Sequence, residues 1–180
     1  IGALGYERAI LVGHDWGAAV AYVSAVLNPE KVAQIFALSV PPIPLFLRHG
    51  LRSARQLWRS RYMLFFQIPG VAERQLVAQG AAAVETLWRR WSNRSFDPGH
   101  LAAARRAFLI PGVAEAALSY YRSLHKLHLP SVRRSMTLAR TQLSVPAHFV
   151  VGTHDHCVLP SVFQGCAHPV HLIPGAGHFL

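Results

Sequence analysis

The segment Ala9-Ile10-Leu11-Val12-Gly13-His14-Asp15-Trp16-Gly17-Ala18-Ala19 constrains this chain more than any other. The apolar run Ala9 to Val12 predicts a buried strand, and Gly17 onward predicts a helix reaching Leu27. Between them stands one acidic residue, Asp15, with glycine two positions before and two after. That spacing fits a sharp strand-to-helix turn that thrusts a single side chain out at the top of a sheet. Glycine is expected at both flanks because the turn brings backbone too close for a Cβ. The helix N-terminus behind Asp15 adds free N–H groups and a positive dipole end, which favour negative charge. Read alone, Asp15 could equally be a helix N-cap, since aspartate is among the preferred capping residues. The far end of the chain decides between the two.

Val32 to Val40 is a second continuous apolar run, consistent with a parallel strand buried on both faces, so strand, helix and strand form a βαβ unit. At Pro41-Pro42-Ile43-Pro44 the pattern changes. From Leu45 to Leu143 the sequence predicts helices punctuated by Pro69-Gly70, Pro98-Gly99, Pro111-Gly112 and Pro130, with Leu101–Leu109 and Val113–Leu127 the clearest. Strand character resumes at Ala147–Gly152, which ends in Thr153-His154-Asp155. A short helix is expected within Val158–Cys166, opened by Pro160-Ser161. Val170–Ile173 then predicts a last strand, followed by the loop Pro174-Gly175-Ala176-Gly177-His178. The expected organisation is α/β: a core segment over 1–44, an all-helical insertion over 45–144 and a second core segment over 145–180.

The net charge of +10 invites a nucleic-acid reading. However, the arginines are scattered at helical spacing, as on solvated helix faces, and no recognised nucleic-acid module accompanies them. No apolar run is long enough to span a membrane, and a cytoplasmic location is the expectation. Cys157 and Cys166 could pair or stand as plain buried thiols, and the sequence leaves that choice open. His154, Asp155, His156, Cys157, Cys166, His168 and His171 offer metal-ligand types, but no zinc spacing is met, so neither a metal nor a cofactor is expected.

Asp15, then a helical insertion, then Asp155 after one strand and His178 after the next, is the order nucleophile…acid…histidine of the α/β-hydrolases. Each of the three falls at the C-terminal end of a predicted strand, the edge where open α/β sheets place their sites. The sequence resembles the epoxide hydrolase branch of that fold, and the resemblance runs over essentially the whole chain. Gly13-His14-Asp15-Trp16-Gly17 matches the branch's turn. Tyr62-Met63-Leu64-Phe65-Phe66-Gln67-Ile68-Pro69-Gly70 and Tyr120-Tyr121-Arg122 match its two lid segments.

The resemblance implies that Asp15 attacks the ring carbon and that His178, oriented by Asp155, activates water. It also implies that Tyr62 and Tyr121 face the epoxide oxygen and that the Trp16 N–H serves as an oxyanion donor. An aspartate suits this chemistry because its product with carbon is an ester, which water can cleave, whereas serine would leave an ether. The implied partners are water and a small epoxide. The lid residues Trp58, Leu64, Phe65, Phe66, Trp88 and Trp91 suggest that the epoxide is apolar.

The sequence also departs from the branch. The His-Gly-x-Pro segment that supplies a further oxyanion donor is missing, together with the first half of the sheet. The chain therefore reads as a truncated fragment whose Ala9–Val12 strand keeps an unpaired apolar edge, poorly folded and inactive alone. Two other functions remain compatible with the residues. One is a haloalkane or fluoroacetate dehalogenase using the same Asp–His–Asp set; the other is an inactive hydrolase-like scaffold.

Overall fold

The computed structural model describes residues 1–93, 96–123 and 126–180. Four parallel strands, β1 (Ala9–His14), β2 (Val32–Leu38), β3 (Ala147–Gly152) and β4 (Val170–Ile173), lie in the order β1-β2-β3-β4. Their register aligns His14 with Leu38, Leu38 with Val150 and Val150 with His171. The C-terminal ends of all four strands therefore open onto one edge, and the residues that follow them share it.

Helix α1 (Trp16–Leu27) returns the chain from β1 to β2 and stops at Asn28, before Pro29. It buries Ala18, Ala21, Tyr22 and Ala25. Three of these four are alanines, whose small side chains let the helix lie close to Ile35, Ala37, Phe149 and Val151 of the sheet. Not every apolar residue here is buried, contrary to the pattern. Ile10 and Val12 are 57% and 70% exposed, and Val20 of α1 is exposed as well. Among the described residues, no element covers those sides of β1 and α1.

Between β2 and β3 the chain is helical: α2 (Ile43–Leu45), a π turn at Phe46–Gly50, α3 (Ala54–Ser60), α4 (Tyr62–Phe65), α5 (Val71–Trp91), α6 (Pro98–Phe108), α7 (Val113–Ser123) and α8 (Pro130–Arg140). Helix α6 starts earlier than its apolar spacing indicates because the Asp97 side chain caps it, accepting the Gly99 N–H at 2.7 Å. Residues 124 and 125, inside the expected Val113–Leu127 helix, lie outside the described residues. Helix α5 is broken at Ala78–Ala81, where Gln79, Gly80 and Ala81 have φ of 50°, 64° and 61°. The break is pinned by Arg105, whose Nε donates to the Gly80 carbonyl and whose guanidinium pairs with Glu85. The short helix expected within Val158–Cys166 is a single 3₁₀ turn, Pro160–Phe163.

These helices hold a second apolar cluster of Phe66, Ala72, Leu76, Ala81, Val84, Ala114 and Leu118. Tyr62 packs against both this cluster and the sheet's core. Among the described residues, no helix is long and apolar enough to cross a membrane.

Candidate active site

Asp15 occupies the turn between β1 and α1 with φ 51° and ψ −121°. A non-glycine residue held there is strained, and such strain persists only where surrounding structure enforces it. Gly13 is part of that enforcement: a Cβ on it would overlap the Gly17 carbonyl. Gly17 itself has open space where a Cβ would sit. Only the first of the two glycines is thus required by close approach, because the Gly13 side of the turn faces the Gly17 carbonyl while Gly17 faces nothing.

The structure brings Asp15, Asp155 and His178 into one chain of hydrogen bonds. His178 Nε2 lies 2.9 Å from Asp15 Oδ2, and His178 Nδ1 lies 2.9 Å from Asp155 Oδ2. The other Asp15 oxygen, Oδ1, accepts the Trp16 backbone N–H at 2.7 Å. Asp155 is fixed in turn, because its Oδ1 accepts the N–H groups of Cys157 and Val158 at 2.7 and 2.9 Å. His178 and Asp155 are each 1% exposed. The His178 backbone is also held: its N–H donates to the Trp91 carbonyl, and its carbonyl contacts the Ser39 hydroxyl and His14 Nε2.

Burial alone would lower the His178 pKa, but hydrogen bonds and charge from Asp15 and Asp155 outweigh it and raise it to about 9. Burial likewise opposes the charge on Asp15, yet the His178 hydrogen bond and charge, with the Trp16 N–H, hold its carboxyl below the ordinary value. At neutral pH the two form a carboxylate–imidazolium pair.

The helical segment places both tyrosines above this pair. Tyr62 and Tyr121 meet edge to face at 6.0 Å, and Tyr121 also meets Trp16 edge to face at 5.3 Å. Burial pushes both phenols well above their usual pKa, and the Asp15 charge pushes in the same direction. They are therefore neutral donors over the whole physiological range. Arg122 ties the two tyrosine-bearing segments together, donating Nε to the Phe66 carbonyl at 2.9 Å and pairing with Glu73. Beside Tyr121 opens a cavity of about 330 Å³, lined almost wholly by apolar surface that includes Trp16, Phe66, Trp88, Trp91, Phe108 and Phe179. Trp58 and Leu64 are not part of it; both are exposed.

Several residues that shape the site carry no sequence signal. Gln56 of α3, 1% exposed, donates Nε2 to the Cys157 carbonyl at 2.9 Å and accepts the Leu159 N–H at 2.8 Å. Arg59 donates to the Asp155 carbonyl at 2.5 Å. Together they fasten the Asp155 loop to the helical segment. Replacing Gln56 with leucine strands a buried N–H and a buried carbonyl, each costing about 1–3 kcal/mol. We expect Gln56→Leu to lower stability by about 2–4 kcal/mol in urea unfolding; a loss under about 0.5 kcal/mol, the range of surface substitutions, would show that the clamp bears no load. Both cysteines are free thiols. Among the described residues, the one set of side chains close enough to share a metal ion is Asp15, Cys157 and His178.

The whole chain, residues 1–180, matches the sequence profile described as "Alpha/beta hydrolase family". The chain belongs to that family. Among curated relatives, the chain is 30% identical over 223 residues to Epoxide hydrolase A of Mycobacterium tuberculosis, covering 98% of this chain and 65% of the relative. It is 27% identical over 186 residues to mouse Epoxide hydrolase 3, covering 98% of this chain and 48% of the relative. The chain thus spans roughly half to two thirds of the length of these relatives. A solved structure, the Bacillus megaterium epoxide hydrolase in complex with an inhibitor, superposes with a TM-score of 0.71 at 25% identity, over 99% of this chain and 65% of that one.

Proposed function

We propose that this hydrolase opens a small apolar epoxide to a vicinal diol through a covalent ester on Asp15. The observation that carries the reading is a strained, ionised aspartate at the turn, 2.9 Å from a histidine that a second aspartate holds, beneath two neutral phenols beside an apolar cavity. In the proposed first step Asp15 Oδ2 attacks a ring carbon in line with the breaking C–O bond. The oxygen that leaves takes a proton from Tyr62 or Tyr121, and the His178 imidazolium returns one to the phenolate. Once Asp15 is a neutral ester, its share of the charge that raised the His178 pKa is gone while burial and Asp155 remain, so the imidazole left neutral by the first step can accept a proton from water. The hydroxide formed attacks the ester carbon while the Trp16 N–H stabilises the charge gathering on Oδ1. Collapse transfers the new carboxyl proton to the departing alkoxide, restoring Asp15 and the imidazolium. The segment 45–144 acts as the lid that brings the phenols, and neither metal nor cofactor takes part.

Two phenols favour an epoxide over a haloalkane, because an alkoxide needs a proton on leaving and a halide does not. The test is an assay of the purified protein with a styrene-oxide-like epoxide and a chloroalkane, alongside Tyr62→Phe, Tyr121→Phe and the double variant. Diol release is expected, with ester formation slowed about tenfold by each single change and about 10³-fold by both, within the usual range for general acids. Halide release without diol would assign the dehalogenase reaction instead. A double variant as fast as the parent would remove the phenols from the mechanism.

A further inference from the structure

The nucleophile and the histidine have a third neighbour that the proposed reaction does not use. Cys157 Sγ, Asp15 carboxylate oxygen and a His178 ring nitrogen all lie within 4.8 Å of one another. The Cys157 side chain is buried, and its sulfur sits 3.4 Å from the Tyr62 hydroxyl. We propose that Asp15, Cys157 and His178 form a binding site for a thiophilic divalent cation such as Zn²⁺.

The ligand types suit such an ion. A thiolate and an imidazole select zinc-like cations over magnesium or calcium, which prefer oxygen throughout. One thiolate and one carboxylate also cancel the ion's double charge, so the ion and its three ligands are together neutral. The geometry needs little change. Zinc bonds of about 2.0–2.3 Å in a tetrahedron place ligand atoms about 3.3–3.7 Å apart. The 2.9 Å contact between His178 Nε2 and Asp15 Oδ2 must therefore open by about 0.4 Å, and the ligand atoms farthest apart, within 4.8 Å, must close by at most about 1.5 Å. Three ligands leave a fourth position for water, facing the cleft.

The residues behind the ligands fit as well as the ligands do. A metal-bound histidine nearly always gives its second ring N–H to a carboxylate or carbonyl, which fixes the tautomer and strengthens the donor. His178 already makes that bond, Nδ1 to Asp155 Oδ2, at 2.9 Å. The Tyr62 hydroxyl is placed to donate to a Cys157 thiolate, and the Trp16 N–H already donates to the spare Asp15 oxygen. On binding, the Cys157 thiol proton and the Nε2 proton pass to solvent. Because the ion takes the same Nε2 and Oδ2 that the proposed reaction uses, occupancy blocks turnover; this corollary, unlike the binding itself, rests on the proposed function.

The test is titration of the purified protein with Co²⁺ as a spectroscopic stand-in, followed by Zn²⁺ displacement and equilibrium dialysis, with Mg²⁺ as control. One cation per chain is expected, with a sulfur-to-metal charge-transfer band that Zn²⁺ abolishes and Mg²⁺ does not. Cys157→Val and the near-isosteric Cys157→Ser should both lose that band and bind Zn²⁺ at least tenfold more weakly. Unchanged affinity in these two variants overturns the proposal, as does the absence of saturable binding. So does loss of the site on His148→Gln, which would move it to the stacked His148–His171 pair on the sheet. A charge-transfer band on adding Co²⁺ to a protein whose metal-free form turns over no epoxide would sustain the site and refute the reaction. Turnover without the band would do the reverse.

Discussion

Replacing His178 with asparagine should yield a protein that captures an epoxide on Asp15 and holds it. The histidine is not the attacking group: in the first step it only returns a proton to the phenolate, which solvent can supply, and Asp15 keeps the Trp16 N–H on Oδ1 at 2.7 Å. The release step, by contrast, needs a base close to the ester carbon, and His178 Nε2 at 2.9 Å from the nucleophile is the group in position. We expect intact-protein mass spectrometry to show one epoxide mass added per chain, mapped to Asp15, and steady-state diol release to fall by at least about 10³-fold. In the parent, a single turnover in water labelled with heavy oxygen should leave the label in the Asp15 carboxylate, because water attacks the acyl carbon and not the sp³ carbon that came from the epoxide. A folded variant that forms no adduct, or one that still releases diol at the parental rate, would sink the two-step mechanism. The same substitution should change how stability depends on pH. His178 titrates above its ordinary 6.5, at about 9, so its contribution is complete below 6.5 and is lost as pH rises through about 9. Asp15 titrates below its ordinary 3.8, so its contribution is complete above that value and fades as acid protonates it. Thermal melts of the parent should therefore weaken on both sides of this plateau, while the variant loses the alkaline limb.

How much of this was legible in the sequence follows from how local each signal is. The strands Ala147–Gly152 and Val170–Ile173 match their apolar runs because strands of a parallel sheet read as near-continuous apolar stretches. The chain order of Asp15, Asp155 and His178 was equally readable, since strand ends in such a sheet meet at one edge. What the sequence hid is long-range. Gln56 reaches partners 101 and 103 positions away, and Arg59 one 96 away. In the sequence both are polar residues in an arginine-rich helix. Gly17 looked as necessary as Gly13 because spacing cannot say which side of a turn is crowded. The break in α5 has no proline to announce it; one ordinary glycine and Arg105, pulled in from another helix, produce it. Ile10 and Val12 were expected to be buried from their apolarity alone, which says nothing about whether a covering element exists.

Gly152→Ala should be among the most damaging substitutions outside the reacting groups. Gly152 ends β3, and a Cβ on it would overlap the carbonyls of both Ala176 and Gly177. A flexible side chain could yield to such a clash, but these are backbone atoms of the loop that carries His178. Nor can the loop retreat. On its far side a Cβ at Gly177 would strike the Trp91 carbonyl, and the His178 N–H is already bonded to that carbonyl at 2.7 Å. The His154 N–H further binds the Ala176 carbonyl at 2.9 Å. The loop is thus clamped between the end of β3 and the end of α5, and one added methyl must push it as a unit. We expect a loss of about 2–4 kcal/mol in urea unfolding, above the usual cost of overpacking because backbone must move. Gly165→Ala is the control: its φ of 73° strains alanine, but nothing lies within 4 Å, so only about 1–2 kcal/mol is expected there. Because His178 is the base of ester release and only returns a proton after attack, the displaced loop should slow release more than capture. Gly152→Ala should then accumulate the Asp15 adduct during turnover, as His178→Asn does in full. Parental stability together with parental adduct levels would mean that the loop bends where the backbone contacts say it cannot, and the His178 position would no longer be set by the sheet.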